Sequence, residues 1–251
     1  MAYFEYKGKK IYYEEKGEGT PLVLLHGNTA SSKMFSYIID LYTDKYRVIS
    51  IDFLGHGNSE RLKEFPLELW FDEAMQTISL LEFLSCDKAN ILGTSGGAWV
   101  AINVALERPD LVKKVIADSF DGKSLASNFA DRLLEQRTLS KKNEMAREFY
   151  YLCQGQNWEG VVDNDTNSLL KFAHENISPF HKSLSELQVP LLLTGSNNDD
   201  MIRNDFEIEY TNILHEISQG EKYIFQEGFH PSVISNVEEF AKIAKEFLDK
   251  I

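Results

Sequence analysis

Positive charge is scarce in this 251-residue sequence: 26 Lys and Arg face 39 Asp and Glu, for a formal net charge of -13. Phosphate binding needs concentrated Lys or Arg, so this balance argues against a nonspecific nucleic-acid binder. It gives no attraction to anionic membranes either. Cysteine is scarcer still, with only Cys86 and Cys153. Without a secretion signal, two such thiols are expected to stay reduced. The opening Met1-Ala2-Tyr3-Phe4-Glu5-Tyr6-Lys7 has no basic segment followed by an apolar one, and no apolar run is long enough to span a bilayer. A cytoplasmic location without membrane insertion is the resulting expectation. The six histidines form neither His-Glu-x-x-His nor a dense cluster with aspartate, so no metal site is expected. No dinucleotide or phosphate-loop glycine pattern occurs, which leaves no cofactor to expect.

What is present is enough apolar residue, 43% of the chain, for a sizeable core in one large domain or one domain with an insertion. Residues 2–15 alternate apolar and polar side chains around Gly8 and read as a hairpin. Leu22-Val23-Leu24-Leu25 does not alternate, as expected of a strand covered on both faces. Further strands are expected at 47–51, 88–92, 115–117, 189–194 and 223–225. Between them, helices are expected from Ser31 or Ser32 to about Leu41, near 68–85, over 98–106 and over 233–249. The alternation predicts a mostly parallel sheet with helices on both faces. The rhythm breaks at 121–185, where three helix-like segments replace the strands; this is too long for a loop and reads as a helical insertion.

Ile91-Leu92-Gly93-Thr94-Ser95-Gly96-Gly97 joins an expected strand to an expected helix. A Gly-x-Ser-x-Gly sequence in that setting presents its serine on a sharp turn with no room for side chains at the flanking glycines. Serine is a weak nucleophile without an adjacent base. His230, between the last strand and the last helix, is the candidate base. Asp199 or Asp200, beyond the preceding strand, would hold its imidazole in the right tautomer. The backbone N–H groups of Asn28 and Gly96 are the candidate donors to a developing oxyanion.

Taken together, His26-Gly27, Asp52-x-x-Gly55-His56-Gly57-x-Ser59, Gly93-x-Ser95-x-Gly97, the loop from Gly195 and the late His230 resemble the α/β-hydrolase superfamily over essentially the whole chain. The resemblance implies an eight-stranded, mostly parallel sheet with an antiparallel N-terminal edge. It implies a core of 1–120 and 186–251 and a variable helical cap at 121–185. It implies nucleophile Ser95, base His230 and an acid three residues past the strand-end glycine. That position holds Asn198, so the loop is read as one residue longer, with Asp199 preferred and Asp200 the alternative. His26 and His56 are expected to support loops, Asp52 to bond its own turn, and Trp99 to pack. Phe120, Phe129, Phe149, Tyr150 and Trp158 are candidates for an apolar substrate pocket.

The expected function is hydrolysis of an ester-type bond in a small molecule. Thioesterase, lactonase, aminopeptidase and carbon–carbon bond hydrolase remain alternatives within the fold, as does a non-catalytic sensing or interaction protein. His26-Gly27-Asn28 also resembles the loop of haloalkane dehalogenases, but those enzymes carry aspartate where this chain has Ser95.

Overall fold

The computed structural model describes residues 2–250. It begins with a hairpin of β1 (Ala2–Tyr6) and β2 (Lys9–Lys16). Lys7 and Gly8 both take positive φ, 49° and 74°, at the turn between them. This is the two-residue geometry whose twist matches the flanking strands. The sheet continues with β3 (Thr20–Leu25), β4 (Tyr46–Asp52), β5 (Ala89–Thr94), β6 (Val112–Asp118), β7 (Leu191–Ser196) and β8 (Gly220–Phe225). Its eight strands lie in the order β1-β2-β4-β3-β5-β6-β7-β8. β2 pairs antiparallel with β1 and β4, and every pair from β4 to β8 is parallel.

Strand alternation explains why the apolar runs are continuous. Val23 and Leu25 join a core on one face of the sheet, Leu22 and Leu24 a second core on the other. The first core is closed by α1 (Leu69–Phe83), α2 (Gly96–Glu107) and α6 (Phe206–Glu216). The second is closed by α8 (Val237–Asp249), whose Phe240, Ala241, Ala244, Phe247 and Leu248 are buried. A four-residue helix, α7 (Ser232–Ser235), precedes it.

Between β6 and β7 the chain leaves the sheet for α3 (Phe129–Ser140), α4 (Glu144–Gln154) and α5 (Trp158–His174). Hydrogen bonds seat this helical insertion on the loops after β3 and β4. Gln154 Nε2 donates to the Thr29 and Ala30 carbonyls at 3.0 and 2.7 Å, and its Oε1 accepts from the Gly57 N–H at 2.8 Å. Asn164 Oδ1 accepts from the Phe65 N–H at 3.0 Å.

One expected helix does not form. From Ser32 to Leu41 the chain makes two short 3-10 turns, Ser32–Phe35 and Ile39–Leu41. The buried Asp52 carboxylate takes the Ser32 N–H at 2.7 Å, and Phe35, Ile38 and Tyr42 each turn into the second core. The run Ser36-Tyr37-Ile38-Ile39 has too little helix propensity to oppose those anchors. Helix α6, conversely, gave no clear signal in the sequence.

Candidate active site

Ser95 stands between β5 and α2 with φ 54° and ψ −124°, a conformation that costs a non-glycine residue energy. The surroundings hold it there. Its N–H donates to the Asp118 carbonyl at 2.8 Å and its carbonyl accepts from Ala98 N–H at 3.0 Å. The flanking glycines are required by space, because a Cβ on Gly93 would lie 1.9 Å from the Gly97 carbonyl oxygen. One on Gly97 would lie 2.4 Å from that of Leu25. α2 therefore crosses β5 at backbone contact, which leaves the Ser95 side chain beyond the carboxyl end of the sheet.

His230 and Asp199 come from the loops after β8 and β7. The Ser95 hydroxyl donates to His230 Nε2 at 3.0 Å, and His230 Nδ1–H donates to Asp199 Oδ2 at 2.8 Å. Asp199 Oδ1 accepts the Met201 N–H at 2.9 Å, so both carboxylate oxygens are used. Asp200 is exposed and contributes a backbone carbonyl to Gln136 instead. Between the two acids, geometry favours Asp199. Burial on its own would lower the His230 pKa, but the charge and hydrogen bond of Asp199 outweigh it, and the imidazole is raised above its ordinary value.

On the other side of Ser95, the Asn28 side chain is fixed from two directions. Trp70 Nε1–H donates to its Oδ1 at 3.1 Å, and its Nδ2 donates to Asp165 Oδ2 at 2.7 Å. A Cβ on Gly96 would lie 2.1 Å from Asn28 Oδ1, which shows how closely the two loops approach. Neither the Asn28 nor the Gly96 backbone N–H has an acceptor among the described residues. His26 braces this loop in its neutral form: Nδ1–H donates to the Gly27 carbonyl at 2.8 Å and Nε2 accepts the Phe53 N–H at 3.2 Å.

Asp52 bonds within its own turn, accepting the Asn58 N–H at 2.7 Å as well as that of Ser32. His56 is buried against the Phe65 ring, 4.8 Å between centroids, with no partner for either ring nitrogen. Burial pushes its pKa well down, so it stays neutral.

The cavity that holds Ser95 and His230 is small, about 60 Å3. Phe120 and Phe129 line it, and so does Trp99, which also stacks on Trp70 with centroids 4.1 Å apart. Phe149, Tyr150 and Trp158 do not. Phe149 is 37% exposed, and Tyr150 is buried against Trp158, with ring centroids 5.5 Å apart, away from the cavity. Their helix faces turn toward the neighbouring insertion helices and solvent, a choice that aromatic content alone could not reveal. A larger cleft of about 790 Å3 lies alongside and shares Phe129 as a wall.

The sequence profile of the alpha/beta hydrolase fold family matches residues 20–161. The chain belongs to that family. Among curated relatives, it is 36% identical over 108 residues to (E)-2-((N-methylformamido)methylene)succinate hydrolase of Acinetobacter baylyi, an alignment covering 43% of this chain and 40% of that protein. It is 32% identical over 115 residues to haloalkane dehalogenase 2 of Mycobacterium tuberculosis, covering 45% and 40%. These alignments thus span less than half of either relative. A longer one, 25% identical over 265 residues, covers 95% of this chain and 91% of 2-hydroxy-6-oxo-6-phenylhexa-2,4-dienoate hydrolase of Comamonas testosteroni. Among solved structures, a meta-cleavage product hydrolase superposes with a TM-score of 0.78 at 19% identity, covering 100% of this chain and 98% of that one. The enol-lactonase of Burkholderia xenovorans gives 0.75 at 18% identity, covering 99% and 100%.

Four residues of this α/β-hydrolase chain that bear on the site escaped sequence reasoning. Asp118, fully buried at the end of β6, accepts from the hydroxyls of Thr94, Ser119, Thr194 and Ser232 and from the Val233 N–H. It thereby ties together the strand ends before Ser95 and Asp199 and the turn after His230. A carboxylate closing a buried parallel strand was the available signal. Arg132 and Arg137 line the cavity, and Gln154 clasps the Asn28 loop from the insertion. In a helix of mixed composition, such residues read as solvated surface.

Proposed function

We propose that the chain is a serine hydrolase that cleaves an ester-type bond of a small molecule through an acyl-enzyme. The carrying observation is the hydrogen-bonded line from Ser95 through His230 to Asp199 at 3.0 and 2.8 Å. On this reading Ser95 Oγ attacks the carbonyl carbon while its proton passes to His230 Nε2. The oxyanion is received by the Asn28 and Gly96 N–H groups, whose lack of any other acceptor supports the assignment. Each such donor is typically worth about 3–4 kcal/mol in the transition state. His230 then returns the proton to the departing alcohol and draws one from the water that releases the acid. Asp199 keeps Nδ1 protonated throughout, so that Nε2 faces the serine as an acceptor.

A carbon–carbon bond hydrolase is the second reading, favoured by the relative aligned over 95% of this chain. Short-chain p-nitrophenyl esters test the first reading. Ser95→Ala is expected to cut hydrolysis by about 1,000-fold or more, and a fluorophosphonate is expected to modify Ser95 in the folded protein. Undiminished activity in Ser95→Ala would overturn the mechanism.

A further inference from the structure

The face of α3 turned to the Ser95 cavity has an unusual composition. Phe129, Arg132, Leu133, Gln136 and Arg137 recur at i, i+3, i+4, i+7 and i+8, and all of them line that cavity. A covered helical stripe is ordinarily apolar, because each buried polar group demands a partner. Here most of the stripe is polar, and two members are arginines. Neither guanidinium is exhausted by the aspartate beside it. Arg132 gives Nη2 alone to both carboxylate oxygens of Asp121, at 2.7 and 2.6 Å, and its Nε and Nη1 meet no acceptor among the described residues. Arg137 gives Nη2 to Asp165 at 2.9 Å, and Nη1 to the hydroxyls of Thr29 and Tyr150 at 3.3 and 3.2 Å. Its Nε is buried with no partner among the described residues, and the residue as a whole is only 9% exposed. That Nε is sealed in, so the donors an acceptor from outside the chain can meet are the free N–H groups of Arg132 at the cavity wall.

We infer that this pocket reads a short acyl chain ending in a carboxylate, received by the free N–H groups of Arg132 while Ser95 meets the ester carbonyl. The inference rests on the serine hydrolase reading above and names its substrate class: small monoesters of dicarboxylic acids. Guanidinium N–H groups match the two oxygens of a carboxylate in spacing and charge. Arg132 lines the same cavity as Ser95, so the carboxylate must sit near the scissile bond. Asp121 and Asp165 offset the two cations, and the whole chain carries -13, so no long-range field draws the anion in. Selection therefore comes from donor geometry beside the serine. A neutral acyl chain would leave these donors unpaired, the arrangement by which enzymes reject an analogue lacking the bonded group.

Calorimetric titration of the Ser95→Ala protein tests this without turnover. The probes are methyl hydrogen succinate and two near-isosteric neutral esters, methyl succinamate and methyl levulinate. The charged ester is expected to bind about tenfold more tightly, or better, than either neutral one. Adding Arg132→Gln together with Asp121→Asn, which removes both members of the ion pair and strands no charge, is expected to erase most of that preference. Near-UV circular dichroism confirms that this variant stays folded, and Arg132→Lys, expected to keep part of the preference, serves if it does not. Equal affinity for the three esters, or a preference that survives loss of Arg132, overturns the inference. Labelling of wild-type Ser95 by a fluorophosphonate separates the two ideas. Labelling without carboxylate preference sinks the pocket alone, and preference without labelling sinks the serine reading.

Discussion

At the scale of single residues, the behaviour of His230 is set by a contest between burial and Asp199. Its side chain is 10% exposed, and desolvation by itself would favour the neutral ring. The Asp199 carboxylate, 2.8 Å away, wins and raises the pKa above 6.5. On the proposed mechanism the neutral ring is the base, so kcat/KM is expected to rise with pH through a midpoint above 6.5. Asp199→Asn removes the raising charge and leaves the burial, which moves that midpoint down. On the proposed mechanism it is also expected to cut kcat by about 10⁴-fold, since the ring loses its tautomer control. A pH–rate profile of both proteins checks this, and a midpoint shifted by Asp200→Asn but not by Asp199→Asn would contradict it. The same raised pKa stabilises the fold below the imidazole's unfolded value, and that contribution fades as pH rises through the folded value. The sequence put Ser95 and His230 in view because glycine spacing and strand ends are local. It left Asp199 and Asp200 side by side, because only the path of the loop decides which carboxylate turns inward.

At the scale of elements, the insertion is held by polar clasps. Gln154, at the end of α4, serves the Gly57 N–H, Arg61 Nη1 and the carbonyls of Thr29 and Ala30. Gln154→Leu keeps the bulk and leaves those buried groups unpaired, so a loss of about 2–4 kcal/mol in urea unfolding is expected. Since Thr29 and Ala30 follow Asn28 directly, ester hydrolysis is expected to fall as well. A change below about 0.5 kcal/mol would mean that the clasp is replaced by solvent. Helices α3 to α5 were legible as helices and illegible in orientation. α3 carries Arg132, Gln136 and Arg137 inward and Leu134 and Leu139 outward, the reverse of what hydropathy suggests. Phe149 likewise faces away from the Ser95 cavity. A short amphipathic segment declares its period, while the partner surface chooses the face.

At the scale of the whole molecule, insertion and sheet share one apolar core. Leu133, Val161, Leu169 and Phe172 lie in the same cluster as Val23, Leu25, Ile91 and Val115. Removing the insertion would expose that surface, so the two parts are expected to unfold together. Trp70 and Trp99 stack in the core, and Trp158 begins α5, which allows a check. Urea transitions followed by tryptophan fluorescence and by far-UV circular dichroism are expected to coincide. Two separated transitions would make the insertion an independent unit.

The succession of strands, the two-sided burial of Leu22–Leu25 and the tight turn at Ser95 were determined by the sequence alone, because each depends on neighbours within a few positions. The meeting of Ser95, Asp199 and His230, the hub at Asp118 and the inward arginines of α3 were decided by tertiary structure. Those contacts join positions up to 135 residues apart, as between Ser95 and His230, and local pattern carries no information about which distant surfaces will face one another.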